Sequence, residues 1–284
     1  MTDSSAKRSP LVRKSASFPF QIAVVCWVDL LGYGAMIAEA DFNPLHPKAS
    51  EAMQRLRRFH EIVASHSFRH FPTLVMNDGA AAYRDLSLRS RGPTYDFLMR
   101  AWKLFSNIKD DENARGLPGA RVVLATGFRM RGRRAGMDAT ASHFRSLMRR
   151  YSNGEIGTEQ AMREAANIRQ PFDIIPQLQA NFAFSKAYVA ETSGTKGGLR
   201  GANFFVDLTL FDTPTPAWVV KGETVKWSNK TLRMEASFAP ILAFPPHKHA
   251  GGGPLGIRDG LEIAQQLTQD PHVLNALRAA RKPA

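Results

Sequence analysis

A chain of 284 residues with 44% hydrophobic content is long enough for one large or two small domains with at least one well-buried core. No apolar run approaches the roughly 18 to 20 residues of a membrane-spanning helix, and a single cysteine, Cys26, excludes an internal disulfide. The excess of 38 Lys and Arg over 25 Asp and Glu, a net charge of +13, favours polyanionic partners; nucleotides, nucleic acid and anionic membranes all qualify.

Residues 1–17 read as a flexible basic arm, with Lys7, Arg8, Arg13 and Lys14 but no apolar stretch before Phe18, so they fail as a secretory signal and a cytoplasmic location is expected. Phe20 to Leu31 is rich in β-branched and aromatic residues and stops at Gly32-Tyr33-Gly34, which predicts a buried strand with Asp29 near its end and Cys26 as a core thiol. Ser50 to Ser65 spaces Met53, Leu56, Phe59, Ile62 and Val63 as an amphipathic helix. Phe68 to Met76 and Ala80 to Leu88 flank Asn77-Asp78-Gly79, a strong hairpin signal that puts Asp78 at or beside a turn.

Thr94 to Ile108 is a second helix, and Ala120 to Thr126 a clear strand. Residues 128–170 form a basic, helical insertion carrying Arg129, Arg131, Arg133, Arg134, Arg149 and Arg150. A helix over Gln177 to Glu191 closed by Gly194 follows, then strands over Asn203 to Phe211 and Ala217 to Trp227. Residues 241–284 are a Pro- and Gly-rich linker and a final helix near Asp259 to Arg281, leaving 18–240 as the main domain. The order predicts an α+β fold, a mainly antiparallel sheet with helices packed on it, for which a ferredoxin-like palm is the natural candidate.

Two metal ions on a triphosphate need oxygen ligands close together, which carboxylates on adjacent strands supply; Asp29 and Asp78 meet that demand. Taken singly, Asp29 could instead cap the following turn and Asp78 could be a plain hairpin residue. His247-Lys248-His249 sits between prolines and a glycine run with no third ligand and reads as a loop. Trp27, Trp102, Trp218 and Trp227 lie in apolar segments and read as core or interface.

Val28-Asp29-Leu30-Leu31-Gly32-Tyr33 resembles the first metal motif of class III nucleotidyl cyclases, and Met76-Asn77-Asp78-Gly79 their second, at a spacing of 49 positions (78 − 29) close to the family's own. Leu117 to Gly127 is similar to the family's next strand, and Gln179 to Ala187 to its transition-state helix. The resemblance implies the palm of that family and two divalent cations, Mg²⁺ or Mn²⁺, on Asp29, Leu30 and Asp78. It also implies backbone amides from Leu30, Leu31, Gly32 and Tyr33 facing the phosphates, Asn181 orienting the ribose, and Lys221 or Lys226 as a phosphate-binding lysine.

The family's arginine position is occupied by Ser185, with Lys186 as the nearest base and a candidate to replace it. Phe71 to Val75 carries no charged side chain where adenylate cyclases place a purine-selecting lysine. In these departures the chain looks most like the bacterial pyrimidine cyclases of Pycsar antiphage systems. That resemblance implies a cytosolic homodimer with shared active sites. It would make a 3′,5′-cyclic monophosphate and pyrophosphate from UTP or CTP, as a second messenger for a separately encoded effector. A catalytically inactive nucleotide sensor on the same fold, and a basic nucleic-acid-binding protein, are the alternatives.

Overall fold

An eleven-residue run of β-branched and aromatic residues, Phe20–Leu30, forms strand β1, in which every residue from Ile22 to Val28 is at most 4% exposed. This is a computed structural model, and it describes residues 20–131, 139–168, 175, 177–246 and 255–281. The arm 1–17, Arg133, Arg134 and His247-Lys248-His249 lie outside the described residues.

After β1 come helix α1 (Tyr33–Glu39), helix α2 (Pro47–His66), the hairpin β2 (Thr73–Met76) and β3 (Gly79–Asp85), helix α3 (Gly92–Ala114) and strand β4 (Ala120–Met130). In space these strands lie β2-β3-β1-β4, with β3 antiparallel to both β2 and β1. A β-α-β-β-α-β chain with that order is a ferredoxin-like palm, as the sequence led us to expect. Then follow α4 (Ala139–Ser152), α5 (Thr158–Ala166), α6 (Phe182–Ser193), β5 (Phe204–Asp207), β6 (Val220–Lys221), β7 (Val225–Asn229), β8 (Met234–Ala243), α7 (Gly260–Leu267) and α8 (Pro271–Arg281). The sheet continues past β4 through β5, β8 and β6, with β7 also on β8. The β4–β5 pair is parallel, while the pairs made by β8 are antiparallel. The fold class is therefore α+β with a mainly antiparallel sheet.

The chain divides into two compact units. The larger, residues 20–128 and 181–284, holds the sheet and helices α1 to α3 and α6 to α8. The smaller, 1–19 and 129–180, contains α4 and α5. Within it Arg150, in the last turn of α4, pairs with Glu164 of α5 at 2.7 Å, and Tyr151 meets the Thr158 hydroxyl at 3.2 Å.

Several elements differ from the sequence expectation. Ala180 has a left-handed φ of 44° and Asn181 caps the next turn, so α6 begins at Phe182 and not near Gln177. The strand expected from Asn203 to Phe211 stops at Asp207, whose side chain accepts from the Thr209 amide and starts a 3₁₀ turn. The single C-terminal helix is two, α7 opened by the Asp259–Glu262 capping box and α8 by Pro271. Strand β8, joining β5 to β6 and β7, was not anticipated.

Cys26 is fully buried, and burial pushes its thiol up, away from reactivity. Trp102, Trp218 and Trp227 pack edge-on against Phe204, Phe211 and Phe238.

Candidate active site

The antiparallel register of β1 on β3 pairs Asp29 with Gly79, and the Leu30 amide donates to the Asp78 carbonyl at 3.0 Å. Two aspartates that are 49 positions apart in sequence (78 − 29) thus share one corner of the sheet. Met76 pairs with Gly79, so Asn77 and Asp78 are a two-residue turn; Asn77 takes its positive φ of 55° and donates its side-chain amide to Asp78 Oδ1 at 3.0 Å. Gly79 is needed for a different reason: a Cβ there would stand 2.7 Å from the Trp27 ring. Trp27 and Asp29, two residues apart on a strand, point to the same face.

Helix α6 covers that face. Its start settles onto β4 because Gly127 has no side chain: a Cβ would come within 2.5 Å of the Ala183 nitrogen. Phe184 and Tyr188, one turn apart, meet the Trp27 ring edge-on at 5.9 and 5.2 Å. Near the end of the helix, Glu191 accepts from Arg121 of β4 at 2.9 Å, and Arg121 also donates to the Glu191 and Gly201 carbonyls at 3.3 Å each. Trp27, Asp29, Asp78, Arg121, Tyr188 and Glu191 are among the residues lining an open cavity of about 620 Å³.

Its electrostatics are unbalanced. Three carboxylates share one guanidinium among the lining residues. Burial, then the charges of Glu191 and Asp78, push the Asp29 carboxyl up to about 7 against the pull of Arg121. Burial also raises Glu191, despite its ion pair. The buried Trp27 Nε1 is within electrostatic reach of Glu191 but has no acceptor in hydrogen-bonding geometry among the described residues.

A divalent cation relieves this kind of strain, so the donor set fits one. Among the described residues no three or more His, Cys, Asp or Glu side chains gather around one point. Asp29 and Asp78 would therefore act as a pair, completed by backbone, phosphate or water oxygens. Leu30 could contribute only its backbone carbonyl, since a hydrocarbon side chain has no donor atom.

The other expected residues are distributed unevenly. The amides of Leu30 and Leu31 are already used, by the carbonyls of Asp78 and Gly119 at 3.0 and 2.9 Å, so they do not face an anion. That leaves Gly32, with φ 75°, and Tyr33 at the opening of α1. Burial and then the charge of Asp78 hold the Tyr33 hydroxyl above its ordinary value.

Asn181 is 2% exposed, and its side-chain oxygen caps α6 by accepting from the Phe184 amide at 3.0 Å. Lys186 is neither a solvent-facing lysine nor part of the cavity lining: its ammonium sits 2.9 Å from Asp207 Oδ2, both residues buried. Lys221 of β6 donates to the Thr224 hydroxyl and Lys226 of β7 to the Ser237 hydroxyl on β8. β6 is four strands from β1, about 19 Å at roughly 4.8 Å per strand.

Sequence reasoning missed Arg121 and the use made of Glu191. The available signal was Arg121 itself, a charge in the otherwise apolar run Ala120 to Thr126.

No protein-family model matches the chain, and no curated protein matches its sequence. Among solved structures it is similar to the guanylyl cyclase Cya2, at 11% identity and TM-score 0.46 over 81% of this chain and 97% of that one. It is similar also to the guanylate cyclase domain of RhGC from Catenaria anguillulae in complex with GTP, at 7% identity and TM-score 0.40 over 79% and 97%. A third is the non-canonical dimeric guanylyl cyclase domain of the RhoGC fusion protein from the aquatic fungus Blastocladiella emersonii, at 7% identity and TM-score 0.39 over 80% and 97%. With TM-scores below 0.5, these likenesses decide nothing about what the chain acts on.

Proposed function

We propose that the protein is a metal-dependent nucleotidyl cyclase that converts a nucleoside triphosphate, UTP or CTP, into the 3′,5′-cyclic monophosphate and pyrophosphate. The observation that carries this reading is the meeting of Asp29 and Asp78 in one cavity, with the Asp29 carboxyl raised to about 7 by burial and neighbouring carboxylates. Asp29 and Asp78 would hold two Mg²⁺ or Mn²⁺ ions, with the Leu30 backbone beside them. Bound there, the ions supply charge to the triphosphate and acidity to the attacking 3′-hydroxyl.

The remaining roles fall to the chain's own groups. Gly32 and Tyr33, at the start of α1, offer amides to the phosphates. Arg121, held by Glu191, is the basic side chain among the cavity-lining residues, and we assign it the charge-stabilising role that the sequence suggested for Lys186. Lys221 serves only if a second copy brings it to the site.

In this reading the enzyme is a cytoplasmic homodimer with shared sites. Asn181 would orient the ribose of a nucleotide held by the partner's aspartates only if dimer formation frees its side chain, which in the single chain is 2% exposed and caps α6. Phe182 and Tyr188, 50% and 44% exposed on α6, support a covered surface beside the site. The cyclic product would act on a separately encoded effector in antiphage defence.

The test is to incubate the purified protein with ATP, GTP, CTP and UTP in turn with Mn²⁺ and identify cyclic monophosphates by mass. Asp29→Ala and Asp78→Ala should each lower turnover by about 10²–10³-fold. Product that persists in both variants, or no product from any nucleotide, would sink the cyclase. One observation favours a second reading, a nucleotide sensor: the base on α6, Lys186, is locked to Asp207. Tight Mn²⁺–nucleotide binding without turnover would identify it.

A further inference from the structure

Arg55 of α2 and Glu112 of α3 are 1% and 3% exposed. Arg55 Nε and Nη2 donate to the two oxygens of the Glu112 carboxylate at 3.0 and 2.6 Å, a two-pronged ion pair. Two helices need no such pair to pack. Charges taken out of water are costly, and well-packed apolar side chains of similar volume hold helices together as well or better. The pair must be explained by what else it touches.

It touches the backbone behind the site. Arg55 Nη2 donates to the Leu31 carbonyl at 2.9 Å and reaches the Gly119 carbonyl at 3.4 Å. Glu112 Oε2 accepts from the Gly119 amide at 3.1 Å. The Gly119 carbonyl in turn accepts from the Leu31 amide at 2.9 Å. Both polar backbone groups of Leu31 are thus held, one directly by Arg55 and the other through Gly119, which the pair grips at both ends.

Leu31 is two residues beyond Asp29 and immediately precedes Gly32, whose φ of 75° turns the chain into α1. Pro118 closes the far side, 3.3 Å from where a Gly32 Cβ would stand. Every one of these groups is in the larger unit of the chain.

We propose that Arg55 and Glu112 are positioning residues for the carboxylate site. They hold the Leu31–Gly32 turn, and through it Asp29, in the arrangement that a metal–triphosphate requires. The proposal rests on the cyclase reading and adds to it two residues that touch neither metal nor nucleotide.

The decisive variant is Arg55→Met with Glu112→Leu in the full chain, which keeps α2 against α3 but removes the backbone grip. Amide hydrogen exchange should show α2 and α3 as protected as before, while exchange at Leu31 to Tyr33 quickens by about tenfold or more. With Mn²⁺ and whichever of the four nucleoside triphosphates the unmodified protein turns over, kcat should fall by at least about tenfold while KM changes far less. Should the double variant not fold, Arg55→Lys makes the same test, because an ammonium keeps the charge but cannot span the carboxylate and the two carbonyls together.

A folded variant with turn exchange and kcat within about twofold of the unmodified protein overturns the proposal. An unmodified protein that turns over none of the four nucleotides sinks the cyclase reading, and the positioning role with it; one that turns over a nucleotide while the variant's turn exchange and kcat stay unchanged sinks the positioning role alone. The two failures are therefore told apart by the unmodified protein.

Discussion

Buried charge is arranged in two ways in this molecule. Behind the Leu31–Gly32 turn, Arg55 meets Glu112 one to one, and under α6 Lys186 meets Asp207, whose oxygens also accept from Thr126 and Thr209. Burial alone would raise the Asp207 carboxyl, yet Lys186 and Thr209 outweigh it and leave it below its ordinary value. In the cavity, Asp29, Asp78 and Glu191 have Arg121 between them, and Asp29 is pushed up to about 7. Matched charges secure the fold. Mismatched ones, at an opening, leave a balance that, under the proposed function, a cation and a polyanion would complete.

Breaking a matched pair should have the largest effect. Lys186→Met leaves Asp207 buried without its counter-charge and should cost about 3–5 kcal/mol. In thermal unfolding at pH 7, the second change Asp207→Leu should return part of that loss. A Lys186→Met protein as stable as the unmodified one would mean that the pair does not secure α6.

A smaller loss is expected from crowding the cavity wall. Gly79→Ala places a methyl 2.7 Å from the Trp27 ring and should cost about 1–3 kcal/mol, with fluorescence of the displaced indole reporting the strain. Unchanged emission and melting would show that Trp27 is free to move aside.

The smallest effect has the opposite sign. The folded-state acidity of Asp29 lies near 7 against an ordinary 3.8, so the folded chain keeps a proton that the unfolded chain releases as pH rises. Stability is lost across that window and stays lower above it. Asp29→Asn should therefore melt with the unmodified protein near pH 4 and about 2–6 °C above it at pH 8 in the absence of metal, a modest figure because the half-buried carboxyl is partly screened. Mn²⁺ should narrow the gap at pH 8. A variant less stable at pH 8 would show that Asp29 supports the fold rather than straining it.

The sequence was most legible where one local pattern decides the outcome. The apolar run of β1, the helical spacing of α2 and the Asn77-Asp78 turn needed no tertiary context, and they brought both aspartates with them. Strand β8 was hidden by Pro240, a residue that ordinarily argues against a central strand. It is tolerated because one edge of β8 changes partner there, β7 pairing with Met234 to Phe238 and β6 with Ile241 and Ala243. The role of Lys186 was equally hidden, since its partner lies 21 residues ahead on β5 and nothing local predicts their meeting. Arg121 and Glu191 are 70 residues apart and come together only when α6 lies across the sheet.

The excursion between β4 and α6 has a consequence for how such a chain can change. Within the larger unit, Gly127 and Ala183 already touch across the break in sequence, and within the smaller, the Met130 amide donates to the Ala180 carbonyl at 3.0 Å. In sequence, 49 residues (131–179) lie between the two partners of that hydrogen bond. The entropy of closing a loop rises only by about 0.6 kcal/mol for each doubling of its length, so a segment whose two ends are pinned to each other in this way can be lengthened or trimmed over generations at little cost in closure.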